Sequence, residues 1–259
     1  MRLLPVILYI VLGTTGCRND VAPLPQHDTQ VKKTLTPLMI AAQKADLPTV
    51  EDLLRTHANV NAADSDGYTA LQYAAYGADV RVVQALLGAG ADVNARANDG
   101  STALHAGARS NVQVVHALLA AGADVNARTK EDVTPLIASI DMAFGKPEIT
   151  LTLIEAGADV NVAESDEETA LSIATTESSP DVMKALLRKG ANPNVRGRGG
   201  ETPLHMAASN GLVDRVKLLL QFGAIATIRN NLGQTPLDVS NERWPEIKVL
   251  LVKHSGGSK

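Results

Sequence analysis

From Thr36 onward one pattern of apolar and polar positions recurs along the chain. A threonine is followed two positions later by leucine and then by a run of small residues, as in TPLMIAAQ, TALQYAAY, TALHAGAR, TPLIASID, TALSIATT, TPLHMAAS and TPLDVSNE. These blocks open at Thr36, Thr69, Thr102, Thr134, Thr169, Thr202 and Thr235, at spacings of 33, 33, 32, 35, 33 and 33 residues. A second block follows each of the first six and reads DLLRTHANVN, ALLGAGADVN, ALLAAGADVN, TLIEAGADVN, ALLRKGANPN and LLLQFGAIAT. Its apolar residues fall at helical spacing, as Val82, Val83, Leu86 and Leu87 do. A fixed period near 33 residues predicts a stack of paired short helices, each pair burying its apolar face only against its neighbours.

The residue types suit their positions. A threonine hydroxyl caps a helix by accepting an orphan backbone N–H. Pro37, Pro135, Pro203 and Pro236 come next, at the first helical position, where a missing N–H costs nothing. The Ala pairs, such as Ala41-Ala42 and Ala207-Ala208, keep the first helix thin enough for close stacking. The second helix is expected to stop at Gly90, Gly122, Gly157, Gly190 or Gly223, where a left-handed backbone is cheap. His57 stands there in the first unit and predicts a less stable second helix.

Between units the chain reverses in a finger. Asp64 to Gly67 and Asn230 to Gly233 begin with Asp or Asn and end with Gly, as a type I turn prefers. Thr129 to Asp132 and Glu164 to Glu167 lack that glycine, so these two fingers are expected to be less regular. The third unit is one residue short near Ser110. The fourth has two extra residues within 142–147, where Phe144 either packs under its own loop or contacts a partner. Gln43 and Lys44 mark a polar first cap, and Trp244 is expected in the core of the last; His254 to Lys259 should fray, with 255–259 as a tail.

These paired blocks closely resemble the ankyrin repeat, over Thr36 to about His254. The resemblance implies an all-α solenoid of about seven helix-turn-helix units with β-hairpin or turn fingers, occupying residues 34–254. It also implies that His105 and His205, at the histidine of the family's TPLH motif, make structural hydrogen bonds between repeats, as the seven threonines make caps. Partners of the family usually dock on the concave face, lined by fingers and first helices.

The chain begins MRLLPVILYIVLGTTGCRND. One basic residue, about ten apolar ones and a run of small ones make an export signal, too short to span a bilayer as a helix. Thr14-Thr15-Gly16-Cys17 resembles the lipobox of bacterial lipoproteins, although Thr14 stands where that family usually has Leu. The resemblance implies cleavage after residue 16 and a lipid on Cys17; ordinary cleavage among the same small residues is the alternative. Arg18 in place of Asp resembles the pattern sorted to the outer membrane in a Gram-negative cell. Residues 17–33, with Pro23 and Pro25 and no apolar period, then form a flexible tether.

Composition narrows the function. The net charge of −4 argues against a phosphate-binding surface, and so against nucleic acid. A single cysteine permits no internal disulfide. No His pair with a flanking Glu, no Gly-x-Ser-x-Gly elbow and no phosphate loop occurs. The run Glu164, Asp166, Glu167 and Glu168 lies on a solvated tip, unsuited to acid–base work. No cofactor, metal or small-molecule substrate is expected, nor catalysis.

What remains is protein binding. Tyr68, Tyr73 and Tyr76 fall within nine residues and are candidate contacts, because tyrosine buries a large ring and keeps its hydroxyl paired. The alternative is that one or two of them pack against the neighbouring unit. Arg96 and Asn98, Arg128 and Lys130, Asp166 and Glu168, and Arg196 and Arg198 are candidates on successive fingers. Basic fingers on either side of an acidic one either orient a partner or simply solubilise the surface. The expectation is a monomeric interaction module of the cell envelope, facing the periplasm, anchored through Cys17, that captures, scaffolds or inhibits another protein. A cytosolic or secreted interaction protein is the rival.

Overall fold

The computed structural model describes residues 35–140, 146–165 and 167–256. The expected signal, Cys17 and the tether lie outside the described residues, as do Phe144, Asp166 and the last three positions. The described residues form thirteen α-helices and no strand.

The helices pair unit by unit: α1 (Pro37–Gln43) with α2 (Leu47–Arg55), α3 (Ala70–Gly77) with α4 (Val80–Gly88), α5 (Ala103–Ala108) with α6 (Val112–Ala120), α7 (Pro135–Ile140) with α8 (Pro147–Glu155), α9 (Ala170–Glu177) with α10 (Pro180–Arg188), and α11 (Pro203–Ser209) with α12 (Val213–Gln221). First helices stack on first helices and second on second, and α13 (Pro245–Ser255) packs on α12. The core is accordingly a thin band between two helical layers. Leu38, Leu71, Leu104, Leu136, Leu171 and Leu204, each two residues after its threonine, are all buried. On the second helices Val50, Val83, Val115, Leu153, Met183 and Val216 close the band from the other side.

The caps follow from the threonines. Thr36, Thr69, Thr102, Thr169 and Thr202 are the N-caps of α1, α3, α5, α9 and α11. The Thr134 hydroxyl accepts from the Ile137 N–H at 3.3 Å. The seventh unit differs from the expected pattern. Thr235 and Asp238 make the same local bonds, with Asp238 Oδ2 accepting from the Thr235 N–H at 2.8 Å, but the segment after Thr235 stays a turn and only the second helix, α13, forms.

Where the third unit is one residue short, the missing residue is the left-handed one. Ala45, Ala78 and Gly211 take φ values of 55°, 63° and 72° between the paired helices of units one, two and six. At the matching position of unit three stands Asn111, already the extended N-cap of α6. His57 adopts φ 62° where Gly90, Gly122, Gly157, Gly190 and Gly223 take 87° to 92°. The strain expected at His57 is therefore present.

The fingers before Thr134 and Thr169 correct the expectation of irregularity. All six close with the same bond from the fourth residue to the first: 3.0 Å from Gly67 to Asp64, 2.9 Å from Gly100 to Ala97, 3.1 Å from Asp132 to Thr129, 2.9 Å from Glu167 to Glu164, 2.8 Å from Gly200 to Gly197 and 3.0 Å from Gly233 to Asn230. Asp132 and Glu167 take left-handed φ values of 61° and 66° in place of glycine. The turn is kept and the strain is borne by the side-chain-bearing residue.

At the C-terminal end, Trp244 lies against the backbone of Gly211 and remains 39% exposed. A Cβ on residue 211 would come within 2.3 Å of the indole ring, at a backbone φ that already disfavours a side chain. Gly211→Ala is therefore expected to destabilise the last unit by about 2 kcal/mol. Trp244 is the only tryptophan, so its emission should shift to the red as the cap loosens. Unchanged emission and unchanged stability would show that the ring does not depend on this approach.

Candidate binding surface

Three polar systems hold the fingers and the first helices in one row. The first uses the residue three positions after each threonine. His105 Nδ1 accepts from the Thr102 N–H at 3.1 Å, which leaves Nε2–H to donate to the Val133 carbonyl at 3.1 Å. His205 repeats this with Thr202 at 3.2 Å and the Gln234 carbonyl at 3.0 Å. Gln72 does the same with an amide: Oε1 accepts from the Thr69 N–H at 2.8 Å and Nε2 donates to the Ser101 carbonyl at 2.9 Å. Each bond fixes a helix start to the next finger, and both histidines are buried.

The second system is an asparagine ladder on the loops after the second helices. Asn61, Asn94, Asn161 and Asn194 each donate to a glycine carbonyl of the next unit, at 3.2, 3.1, 3.0 and 3.0 Å. Their Oδ1 atoms accept from Asp92, Asp124, Asn192 and Ile225 N–H groups at 2.8 to 2.9 Å. Asn126 accepts from Asp159 N–H at 2.8 Å. Sequence reasoning missed this ladder; the DVN tripeptide recurring after the second helices was the available signal.

The third joins finger to finger through backbone: Asn98 N–H to Asp66 O at 2.8 Å, Lys130 to Asp99 at 2.8 Å, Ser165 to Glu131 at 3.1 Å and Asn231 to Gly199 at 2.9 Å. Asn98 adds a side-chain bond to the Ser65 carbonyl at 3.0 Å. Arg96 reaches the Arg128 carbonyl, and Arg196 reaches Asn231 Oδ1 at 3.3 Å. Among the described hydrogen bonds, then, Arg96, Asn98 and Arg196 serve the row itself while remaining exposed.

The three tyrosines part company. Tyr68 and Tyr73 are 8% and 4% exposed, which removes their rings from the expected contact surface. The Tyr68 hydroxyl donates to Asp99 Oδ2 and the Tyr73 hydroxyl to Asp64 Oδ2, both at 2.7 Å, with ring centroids 6.1 Å apart. Asp64 in turn accepts from the Asp66 and Tyr68 N–H groups at 2.9 Å, so Tyr73 braces the finger turn from below. Burial, ahead of the nearby carboxylates, pushes the Tyr68 hydroxyl up to about 12 and raises Tyr73 as well. Burial also pushes Asp99 up, but the Ser101 hydroxyl and N–H and the Tyr68 hydroxyl more than offset it, so Asp99 ends below its ordinary value.

Tyr76 alone of the three faces solvent, at 45% exposure. Arg128, Lys130 and Arg198 are exposed and Glu168 is half-buried. Arg128 lies 3.6 Å from Asp132 of its own finger. Five exposed apolar residues were not singled out from sequence: Ile40 on α1, Ile225 on the loop after α12, Leu232, which is 82% exposed at a finger tip, and Val249 and Val252 on α13. On the first helices and fingers the exposed apolar and aromatic side chains are thus Ile40, Tyr76 and Leu232, and the exposed basic ones include Arg128, Lys130 and Arg198. Among the described residues no cluster of His, Cys, Asp or Glu could hold a metal ion, and no helix is long and apolar enough to cross a membrane.

Stacked helix pairs, threonine caps, bridging Gln72, His105 and His205, and turn fingers linked edge to edge define a repeat-built interaction module. The family profile described as "Ankyrin repeats (3 copies)" matches residues 17–97, 38–129, 79–164 and 171–256, and the chain belongs to the ankyrin-repeat family. The ankyrin repeat domain of human ASB11 is 28% identical with a TM-score of 0.73, covering 87% of this chain and all of that one. The ankyrin repeat domain of Bcl-3, a member of the IkappaB protein family, is also 28% identical with a TM-score of 0.73, covering 85% of this chain and all of its own. No curated protein sequence matches the chain. Ankyrin repeats generally serve as non-catalytic protein-interaction modules.

Burial lowers the His105 pKa from 6.5 to about 4. The unfolded chain therefore takes up a proton here that the folded one refuses, so this contribution is intact above pH 6.5 and is lost as pH falls towards 4. The loss is at most about 1.4 kcal/mol per pH unit. His105→Gln keeps a donor and an acceptor, as Gln72 shows. Its unfolding free energy should lie within about 1 kcal/mol of the wild type at pH 7 and fall less steeply between pH 6.5 and 4.5. Denaturant titrations at several pH values with equal slopes for both proteins would refute the assignment.

Proposed function

We propose that this protein captures another protein on the strip made by its fingers and first helices, and does so at the cell envelope. The observation that carries the binding half is how the polar groups divide. Backbone bonds, Asn side chains and the buried His, Gln and Tyr residues hold the row, while Tyr76, Lys130, Arg198 and Leu232 stand exposed on it. A row whose backbone and buried polar groups are already paired, with aromatic and basic side chains exposed, meets a partner at lower ordering cost than an unstructured segment would. The surface suits capture, scaffolding or inhibition without any chemistry of its own.

The envelope half is supported by the N-terminal sequence: a short apolar run ending in Thr14-Thr15-Gly16-Cys17, followed by a proline-containing tether. Lipid chains on Cys17 would hold the repeat domain at a membrane surface, sorted to the outer membrane in a Gram-negative cell by Arg18.

Two measurements test these halves separately. Mass spectrometry of the protein from membrane extracts should find Cys17 as the first residue, carrying acyl chains; an intact Met1 in protein found only in the cytosol would defeat the envelope reading. For binding, Tyr76→Ala and Arg198→Glu should each cut recovery of a co-purifying partner about tenfold, the loss of one good interface contact. Tyr73→Phe, which removes only the buried hydroxyl bonded to Asp64, should lower stability by about 1 kcal/mol and leave recovery intact. Equal recovery with wild type, Tyr76→Ala and Arg198→Glu would defeat the assigned face.

A further inference from the structure

We infer that the repeat array has a built-in joint at its fourth unit, and that it opens there as two blocks, α1–α6 and α9–α13. Three independent features coincide at that unit.

The first is the turn residue. At Gly67, Gly100 and Gly200 the next finger presses so close that a Cβ would lie 2.8 Å from the Asn98 nitrogen, 3.2 Å from the Thr129 Cα and 2.3 Å from Asn231 Oδ1. Glycine there supplies both the left-handed backbone and the room. The fingers that open and close the fourth unit carry Asp132 and Glu167 instead, at φ 61° and 66°. A short Asp tolerates this conformation better than Glu does, but both are strained relative to glycine. Arg96 and Arg196 cross to the following finger, whereas Arg128 turns back to Asp132 of its own.

The second is the bridging residue. Gln72, His105 and His205 each tie their helix to the next finger. Unit four has Ile137, buried at 1% exposure with no polar group to offer, and unit five has Ser172, whose hydroxyl bonds back to Thr169. Neither side chain makes the tie that Gln72, His105 and His205 make; Met39 of the first unit, which bonds only back to Thr36, does not make it either.

The third is the ladder. Among the described residues Asn126, which links unit three to unit four, makes one bond where Asn61, Asn94, Asn161 and Asn194 each make two. In addition the N-cap of α8, Lys146, makes no side-chain cap, as Leu212 makes none for α12, whereas α4, α6 and α10 are capped.

In a linear array, cooperativity is carried only by nearest-neighbour interfaces, so one weak unit divides it. The joint has a consequence for the proposed binding strip, and this consequence alone rests on that proposal: Arg128 and Lys130 lie before the fourth unit and Arg198 after it, so movement there changes the spacing of the basic fingers a partner meets.

Native-state hydrogen exchange with increasing denaturant, read by mass spectrometry on the full chain, tests the joint without any partner. Amides of α3 to α6 should converge on one opening isotherm and those of α9 to α12 on another, with α7 and α8 exchanging faster than either. In the double variant Asp132→Gly/Glu167→Gly, relief of strain should slow exchange in α7 and α8 by about fivefold per substitution and draw the two isotherms together. A single isotherm for all internal helices of the wild type, or protection that simply declines from both ends with no step at unit four, would overturn the inference. So would a double variant whose exchange in α7 and α8 is unchanged.

Discussion

Every feature of this molecule depends on one constraint: a single helix pair cannot bury its own apolar face. The first helices are six to eight residues long and carry one leucine and a few alanines, far too little to fold in isolation. Burial comes only from the units on either side, so each position is judged by what it offers its neighbours. Leu two places after the threonine fills the seam, Ala lets the next helix approach, and polar residues point along the stack to the following unit. The asparagine ladder shows the same logic at its end. Thr227 takes the asparagine position in unit six, and among the described residues the ladder stops there.

That economy governs what is left for recognition. Each finger is a tight turn whose backbone groups are satisfied by its own closure and by the finger beside it. Once the main chain and the Asn, His and Gln side chains are committed to the stack, only outward-pointing positions can vary freely. Tyr76 and Leu232 are such positions; Tyr68 and Tyr73 are not, because their hydroxyls are held by Asp99 and Asp64 and their rings fill the space under two fingers. A cluster of aromatic residues in the sequence therefore holds both a structural pair and an exposed contact.

The architecture was legible because periodicity is a property of the chain itself. Threonine spacing, proline at the first helical position and glycine after the second helix each encode a local conformation, and the structure realises them. What could not be read is what depends on the facing unit. The Tyr68–Asp99 bond joins residues in adjacent fingers, and nothing near Tyr68 in the chain announces it. The seventh threonine block looks like the other six, yet stays a turn. The fingers ending in Asp132 and Glu167 lack the terminal glycine, and they close with the same fourth-to-first bond all the same. In each case the outcome is set across an interface and not within a segment.

The non-glycine residues at positive φ bring these threads together. His57, Asp132 and Glu167 adopt the backbone their position demands, against their own preference, because the flanking units over-determine it. Such enforcement requires strong neighbours. Asp132 and Glu167 bound a unit that carries Ile137 at the bridging position. Strain and weak linkage thus fall together at unit four, while units two and three combine glycine turns, bridging Gln and His, and complete Asn pairs between them. A stack in which every unit were equally linked would present a fixed row of fingers. This one concentrates its compliance between the basic fingers, where a small change in helix stacking alters the surface most.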